Sequence, residues 1–242
     1  MNSTPPLEIY LLGRVDFDEI QQLQRRLVYD LGDGESRGGV LILCEHSPVI
    51  SVGRSGSRAH ILVDDDELRS LRLPVRWVNR GGGCQLHAPG QLAGYLVLPL
   101  GQRDLLLQGY LDGLERVLIE VLGEFDLRGS TRPGVPGVFI DQARVASIGV
   151  AVKRSIAYHG FTLNVSTFLG PFGLLRDPSA DGPIRQTSME SRRQRPTPMA
   201  KVREAVIRRV ESVFGLERHH LYTHHPSIRR KVGSHDFAPS LG

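Results

Sequence analysis

The sequence predicts a mixed α+β domain whose sheets are largely antiparallel and flanked by helices. Three observations carry this. Helical and strand patterns interleave along the chain. Several strand patterns are joined by connections too short for a crossover, so those pairs are antiparallel rather than parts of a doubly wound parallel sheet. And 242 residues, 40% of them hydrophobic, are enough for one substantial core.

The elements follow in order. Residues 7–12 read as a strand. Asp16 is placed to cap a helix whose Ile20, Leu23, Leu27 and Leu31 recur at i, i+3, i+4 spacing until Gly32 ends it. Residues 40–44 form an unbroken apolar run, the pattern of a buried strand, and 75–79 form another short strand. Residues 105–122 form a long amphipathic helix with Leu107, Leu111, Leu114, Leu118 and Val121 on one face. Residues 138–140 and 145–152 form a hairpin around Asp141-Gln142-Ala143-Arg144, and 161–165 a strand. The stretch 171–198, rich in Pro, Gly, Arg and Ser, is a loop. Residues 198–214 form the last helix, with Val202, Val206, Val210 and Val213 inward. The domain spans residues 1–216. From His219 the periodicity is lost, and 217–242 are a loose, basic, His-rich tail.

Composition excludes several classes. No apolar run approaches the ~20 residues that a membrane span needs. Residues 1–12 lack the basic-then-apolar order of a secretory signal. A soluble, cytoplasmic, monomeric protein is expected. Cys44 and Cys84 are too few for a disulfide framework or a zinc motif, and Cys44 ends an apolar run as a buried thiol. No cofactor or metal is expected; His219, His220, His224 and His225 would share a face only if helical. The net charge of +4 draws on Arg192, Arg193, Arg195, Arg229, Arg230 and Lys231. It suits an acidic macromolecular partner. Nucleic acid is disfavoured, because the aromatic interleaving of single-strand binders is missing.

The most informative stretch runs from Arg80 through Gly81-Gly82-Gly83-Cys84-Gln85-Leu86-His87 to Gly90-Gln91 and Tyr95. Glycines after a strand let backbone N–H groups approach a ligand oxygen. Lys-Ser/Thr is missing after them, so this is no P-loop, and no helix pattern opens there as a dinucleotide fingerprint requires.

This stretch resembles the arginine–double-glycine … histidine–glycine–proline–glycine–glutamine signature of bacterial octanoyltransferases. Those enzymes move an octanoyl group from acyl carrier protein to a lipoyl-domain lysine. Leu43-Cys44-Glu45-His46-Ser47-Pro48-Val49 with Gly53-Arg54 resembles the family's "EHPPV…GR" segment. Gly137 to Asp141 with Ala146-Ser147-Ile148-Gly149-Val150 resembles its hairpin, and Tyr158-His159-Gly160-Phe161-Thr162-Leu163-Asn164-Val165 its "HG…LNV" strand. Thr187-Ser188-Met189 and the last helix also fit. The resemblance spans roughly residues 7–215. It implies the fold of lipoate and biotin protein ligases. It also implies an acyl tunnel lined by residues 80–87, by Ser147, Ile148 and Gly149, and by Gly160, Phe161 and Thr162; bulky side chains between them would rule the tunnel out. The implied partners are octanoyl-acyl carrier protein and the lipoyl domains of 2-oxoacid dehydrogenases or the glycine cleavage H protein.

The chain departs from the family where the chemistry lies. The family uses a cysteine nucleophile activated by a hairpin lysine; here Ser179 and Arg144 occupy those places, and no cysteine follows Cys84. Serine needs an adjacent base, and arginine cannot be one because it stays protonated. Three routes stay open besides Ser179. Cys84 can replace the nucleophile with His87 or His159 as base, the protein can align thioester and amine directly, or the chain can be a non-catalytic paralogue holding an acyl group or lipoyl domain. An ATP-dependent lipoate ligase is the rival enzyme.

Overall fold

Period-two alternation decides the layering. In the computed structural model, which describes residues 6–32, 38–176, 184–216 and 219–228, β1 (Leu7–Val15) leads through α1 (Phe17–Gly32) to β2 (Val40–His46). β2 sends Leu41 and Leu43 to one side of a sheet and Val40, Ile42 and Cys44 to the other. Both faces are buried, which is why the strand reads as a continuous apolar run. The second face is covered by α1; α3 (Leu107–Gly123) and α5 (Met199–Phe214) cover the first.

The remaining strands of this sheet are β6 (Gln91–Pro99), β7 (Ser130–Arg132), β8 (Val135–Ile140), β9 (Ala143–Lys153), β10 (Ile156–Asn164) and β11 (His219–Tyr222). Their order is β11-β1-β2-β6-β10-β9-β8-β7. Pairing is antiparallel except around β1, which runs parallel to both β2 and β11. A second sheet has β3 (Val49–Val52) between β4 (Val75–Trp77) and β5 (Cys84–His87). With α2 (Asp65–Ser70) it encloses a small core of Ile50, Val52, Ile61, Leu68, Leu73 and Leu86.

Where structure and expectation differ, the causes are local. β10 starts at Ile156 rather than Phe161. Arg154 and Ser155, with φ of +52° and +58°, close a two-residue hairpin of type I′ geometry without the Asn or Gly that marks such turns. Inside the expected loop, Ser188 caps a short helix α4 (Met189–Arg193), its Oγ accepting from the Ser191 N–H at 3.2 Å. In α3 the exposed Leu107 lies off the buried stripe, which runs through Tyr110, Leu114, Val117, Leu118 and Val121.

The tail is not loose where it is described. β11 pairs with β1, and Tyr222 stacks on Tyr10 at 5.0 Å. Its histidines therefore lie on a strand and the turn after it, not on a helix. Among the described residues no group of three or more potential metal ligands converges. The arginines expected to face a partner are engaged within the chain: Arg192 with Thr187 and Asp141, Arg193 with Phe125 and Thr197, Arg195 with Asp126. Arg229, Arg230 and Lys231 lie outside the described residues. No helix among the described residues is long and apolar enough to cross a membrane.

Candidate active site

The loop after β4 lies against β9 through its backbone. Gly81 N–H donates to Val150 O at 2.8 Å, Arg54 N–H to Arg80 O at 3.0 Å and Ser55 N–H to Gly82 O at 3.1 Å. The approach excludes side chains. A Cβ on Gly53 would fall 2.4 Å from Gly82 O, and one on Gly149 2.9 Å from Gly81 O. Close packing thus accounts for part of the glycine content. Arg80 points inward and is 6% exposed. Its guanidinium donates to Ser51 O and Oγ, both at 2.8 Å, and to Gly81 O at 2.9 Å.

Two cavities lie beneath. The outer one has a volume of about 400 Å³ and is lined by Arg80, Gly82, Gly83, Cys84, Gln85, Arg144, Ser147 and Ile148, together with Ser55, Gly134 and Pro136. The inner one has about 20 Å³, room for about one water molecule. Gly149, Gly160, Phe161, Thr162 and His87 border it, with Phe17, Gln21, Val78, Tyr95 and His159. Arg80 and Gln85 border both cavities, and Gln85 Nε2 donates to Thr162 Oγ1. The expected continuous tunnel is therefore not present in this structure: the outer space is open, while Phe17, Phe161 and the Gln85–Thr162 pair crowd the inner one, the bulky closure that rules a tunnel out in this conformation. Leu86 is a correction. Alternation along β5 turns it away from Gln85 and His87 into the core of the small sheet. Gly81 borders neither cavity and acts through its backbone.

The inner wall is a set of neutral imidazoles. His46 Nδ1–H donates to Val15 O at 3.0 Å, leaving Nε2 to accept from Tyr95 O–H at 2.7 Å. His87 Nε2 is hydrogen-bonded to Ser51 Oγ at 2.9 Å. His159 Nε2–H donates to Asn79 Oδ1 at 3.2 Å, and its backbone N–H to Gln24 Oε1 at 2.8 Å. These bonds hold His159 in the left-handed region, φ +62°, which a non-glycine residue adopts at some cost. Burial, which penalises the charged form, lowers His46 to about 4 and His159 to about 3, and pushes His87 well below the ordinary imidazole value. Burial likewise pushes the Cys44 thiol up.

Other motif residues hold this wall in place. Glu45 accepts from Gly90 N–H at 2.9 Å and from Arg203 at 3.1 Å. Gln91 Nε2 donates to Asn164 Oδ1 at 2.8 Å, and Asn164 Nδ2 to Thr187 O at 3.0 Å, so three separated motifs meet at one buried amide. Sequence reasoning missed Phe17, and it named Tyr95 as the end of the glycine stretch without giving it a place in the site. Phe17 is the first residue of α1, and its ring packs against those of His46 and His87 at 5.3 and 4.9 Å.

Comparison with known proteins gives this arrangement a family. The profile of the lipoyl protein ligase A/B catalytic domain matches residues 16–212. The chain belongs to this family. It is 38% identical over 208 residues to an octanoyltransferase from Syntrophotalea carbinolica, covering 86% of this chain and 94% of that one. A solved lipoate-protein ligase A bound with ATP superposes with a TM-score of 0.74 over 92% of this chain and 91% of that one, at 14% identity. A bipartite lipoate protein ligase from Thermoplasma acidophilum, studied with its E2 lipoyl domain, gives 0.70 over 92% and 88%, at 16% identity. At these identities the solved structures establish the shared fold, which is the lipoate-ligase fold that the motifs imply.

Of the residues singled out for chemistry, Arg144 and Cys84 border the outer cavity, and His87 and His159 the inner one. Arg144 is 8% exposed, and its guanidinium carbon lies 5.4 Å from the centroid of the Phe139 ring. Its backbone is clamped by Arg185 and Thr187, Arg144 N–H donating to Arg185 O at 2.7 Å and Thr187 N–H to Arg144 O at 2.9 Å. The Cys84 thiol points at Ser57 O, 3.6 Å away. The two histidines considered as its base are bonded elsewhere, His87 to Ser51 and His159 to Asn79, so neither nucleophile–base pair is assembled. Ser179 lies outside the described residues.

Proposed function

We propose that the protein moves an octanoyl group from a carrier thioester to the lysine of a lipoyl domain, acting as a cytoplasmic monomer. One observation carries this reading. The glycine stretch, the β8–β9 hairpin and the start of the histidine–glycine strand meet around one pair of cavities, in a chain 38% identical to an octanoyltransferase. The family resemblance supports acyl carrier protein as donor. The solved ligase studied with its E2 lipoyl domain supports a lipoyl domain as acceptor.

The described geometry favours direct transfer. Arg144 cannot accept a proton, and His87 and His159 are bonded to Ser51 and Asn79; an acyl-enzyme on Ser179, which lies outside the described residues, stays open as the covalent route. The outer cavity would hold the thioester carbonyl beside the incoming amine. The lysine nitrogen attacks the carbonyl carbon, the C–N bond forms as the C–S bond breaks, and the amine's proton passes to the departing thiolate. The same two observations also favour a second reading, a relative that binds the acyl carrier or lipoyl domain without turnover. The test is incubation with octanoyl-acyl carrier protein and an apo lipoyl domain, followed by intact mass spectrometry. Direct transfer puts the octanoyl mass on the lipoyl domain and none on the protein. A stable adduct, mapped by peptide digestion to Cys84 or Ser179, replaces the direct route with a covalent one. Binding without any mass gain selects the second reading, and neither binding nor gain sinks both. ATP-dependent pyrophosphate release would move the assignment to a ligase.

A further inference from the structure

We propose that Gln85 is a movable partition that sets how long an acyl chain the protein accepts. This rests on the acyl-transfer reading and adds the residue that limits chain length. Among the described residues, only Arg80 and Gln85 border both cavities. Arg80 is fixed by three hydrogen bonds to Ser51 and Gly81. The Gln85 side chain is held by one, to Thr162 Oγ1, and stands half-buried at the edge of the outer space. Of the two shared walls, only Gln85 can swing.

What lies behind it suits an alkyl chain. Phe17, Val78 and Phe161 form apolar walls. The Phe161 ring is seated as deep as the sheet allows, because Gly94 beneath it has no side chain; a Cβ there would fall 2.3 Å from the ring. With Gln85 in place this space is about 20 Å³, too small for a run of methylenes. Rotation of the amide into the outer cavity, about 400 Å³, joins the two. Opening costs one neutral hydrogen bond, about a fivefold loss in affinity. Each methylene that enters returns about fourfold. Chains that end within the outer cavity gain nothing from opening, whereas chains reaching two or so methylenes further recover its cost.

The test is affinity against chain length, using the full protein and non-hydrolysable S-alkyl pantetheine thioethers from butyl to dodecyl. Wild-type protein should gain affinity per methylene, pause where the chain meets Gln85, then gain again. Gln85→Ala should remove the pause and raise the ratio of long-chain to short-chain affinity about fivefold over wild type. Thr162→Val keeps Gln85 but removes its acceptor and should shift the profile in the same direction by less. It serves as the second variant if far-UV circular dichroism shows that Gln85→Ala has not folded. Superimposable profiles for wild type and folded variants would overturn the partition while leaving the acyl reading standing. No binding of any member by wild type would overturn the acyl reading itself.

Discussion

At the inner cavity Tyr95, His87 and His159 have partners within the chain, Tyr95 and His87 through His46 and Ser51, which do not line it, and the imidazoles are held neutral by burial. Around the outer cavity a buried guanidinium, a thiol and glycine backbone face a space some twenty times larger. Residues that match the family's motifs stand on both walls, Gly82, Gly83, Ser147 and Ile148 on the outer and His87, Gly160 and Thr162 on the inner, and Arg144 stands on the outer one. The difference teaches that the same motifs build two unlike surroundings, a small space closed by bonded side chains and a larger one with room for a ligand.

If that division is right, the largest effect comes from cutting the scaffold where both cavities share it. Arg80→Ala removes three charge-assisted hydrogen bonds to buried acceptors. At roughly 1.5–3 kcal/mol each, the expected loss is about 5 kcal/mol in urea unfolding. A loss below ~1 kcal/mol would mean that Arg80 does not brace the inner wall.

Acid should distinguish the two walls next. His46, His87 and His159 have folded values below the unfolded one, His46 near 4 and His159 near 3. As pH falls through about 6.5 the unfolded chain takes up protons that the folded chain refuses, so stability is present above that pH and declines towards about 4. One unit below 6.5, each histidine should cost about 1.4 kcal/mol. Melting temperatures from about pH 7 to about pH 5 check this. A flat profile would break the claim that these imidazoles are held neutral.

Much of this scaffold was legible in the sequence and some of it was not, for reasons that particular residues show. The apolar run 40–44 announced a strand buried on both faces, and the Val202–Val206–Val210 spacing announced a helix face. The start of β10 was hidden because Arg154-Ser155 adopt left-handed backbone without a residue that marks it. The motifs named Gly149, Gly160, Phe161 and Thr162 as neighbours, yet nothing local to them disclosed that Phe17 and Tyr95 would line the same space. Those two arrive from α1 and β6, by long-range packing that no local pattern encodes. Leu86 was within reach of sequence reasoning, since a period of two along β5 separates it from Gln85 and His87.

On the outer wall the expected effects on stability are small. Arg144→Lys keeps the charge but loses the planar group over Phe139, about 0.5–1 kcal/mol, and should leave unfolding otherwise as in wild type. It should not create a thioester on Cys84 either, because the Cys84 thiol points at Ser57 O. The smallest effect belongs to Cys84→Ser. The swap is close to isosteric and lies outside the imidazole network, so unfolding should change by less than ~1 kcal/mol. On the direct route, octanoyl transfer to the lipoyl domain should continue at the wild-type rate, because no transition-state interaction is removed. A collapse of transfer in folded Cys84→Ser protein would put chemistry on the thiol, and would require the outer wall to rearrange until a base reaches it.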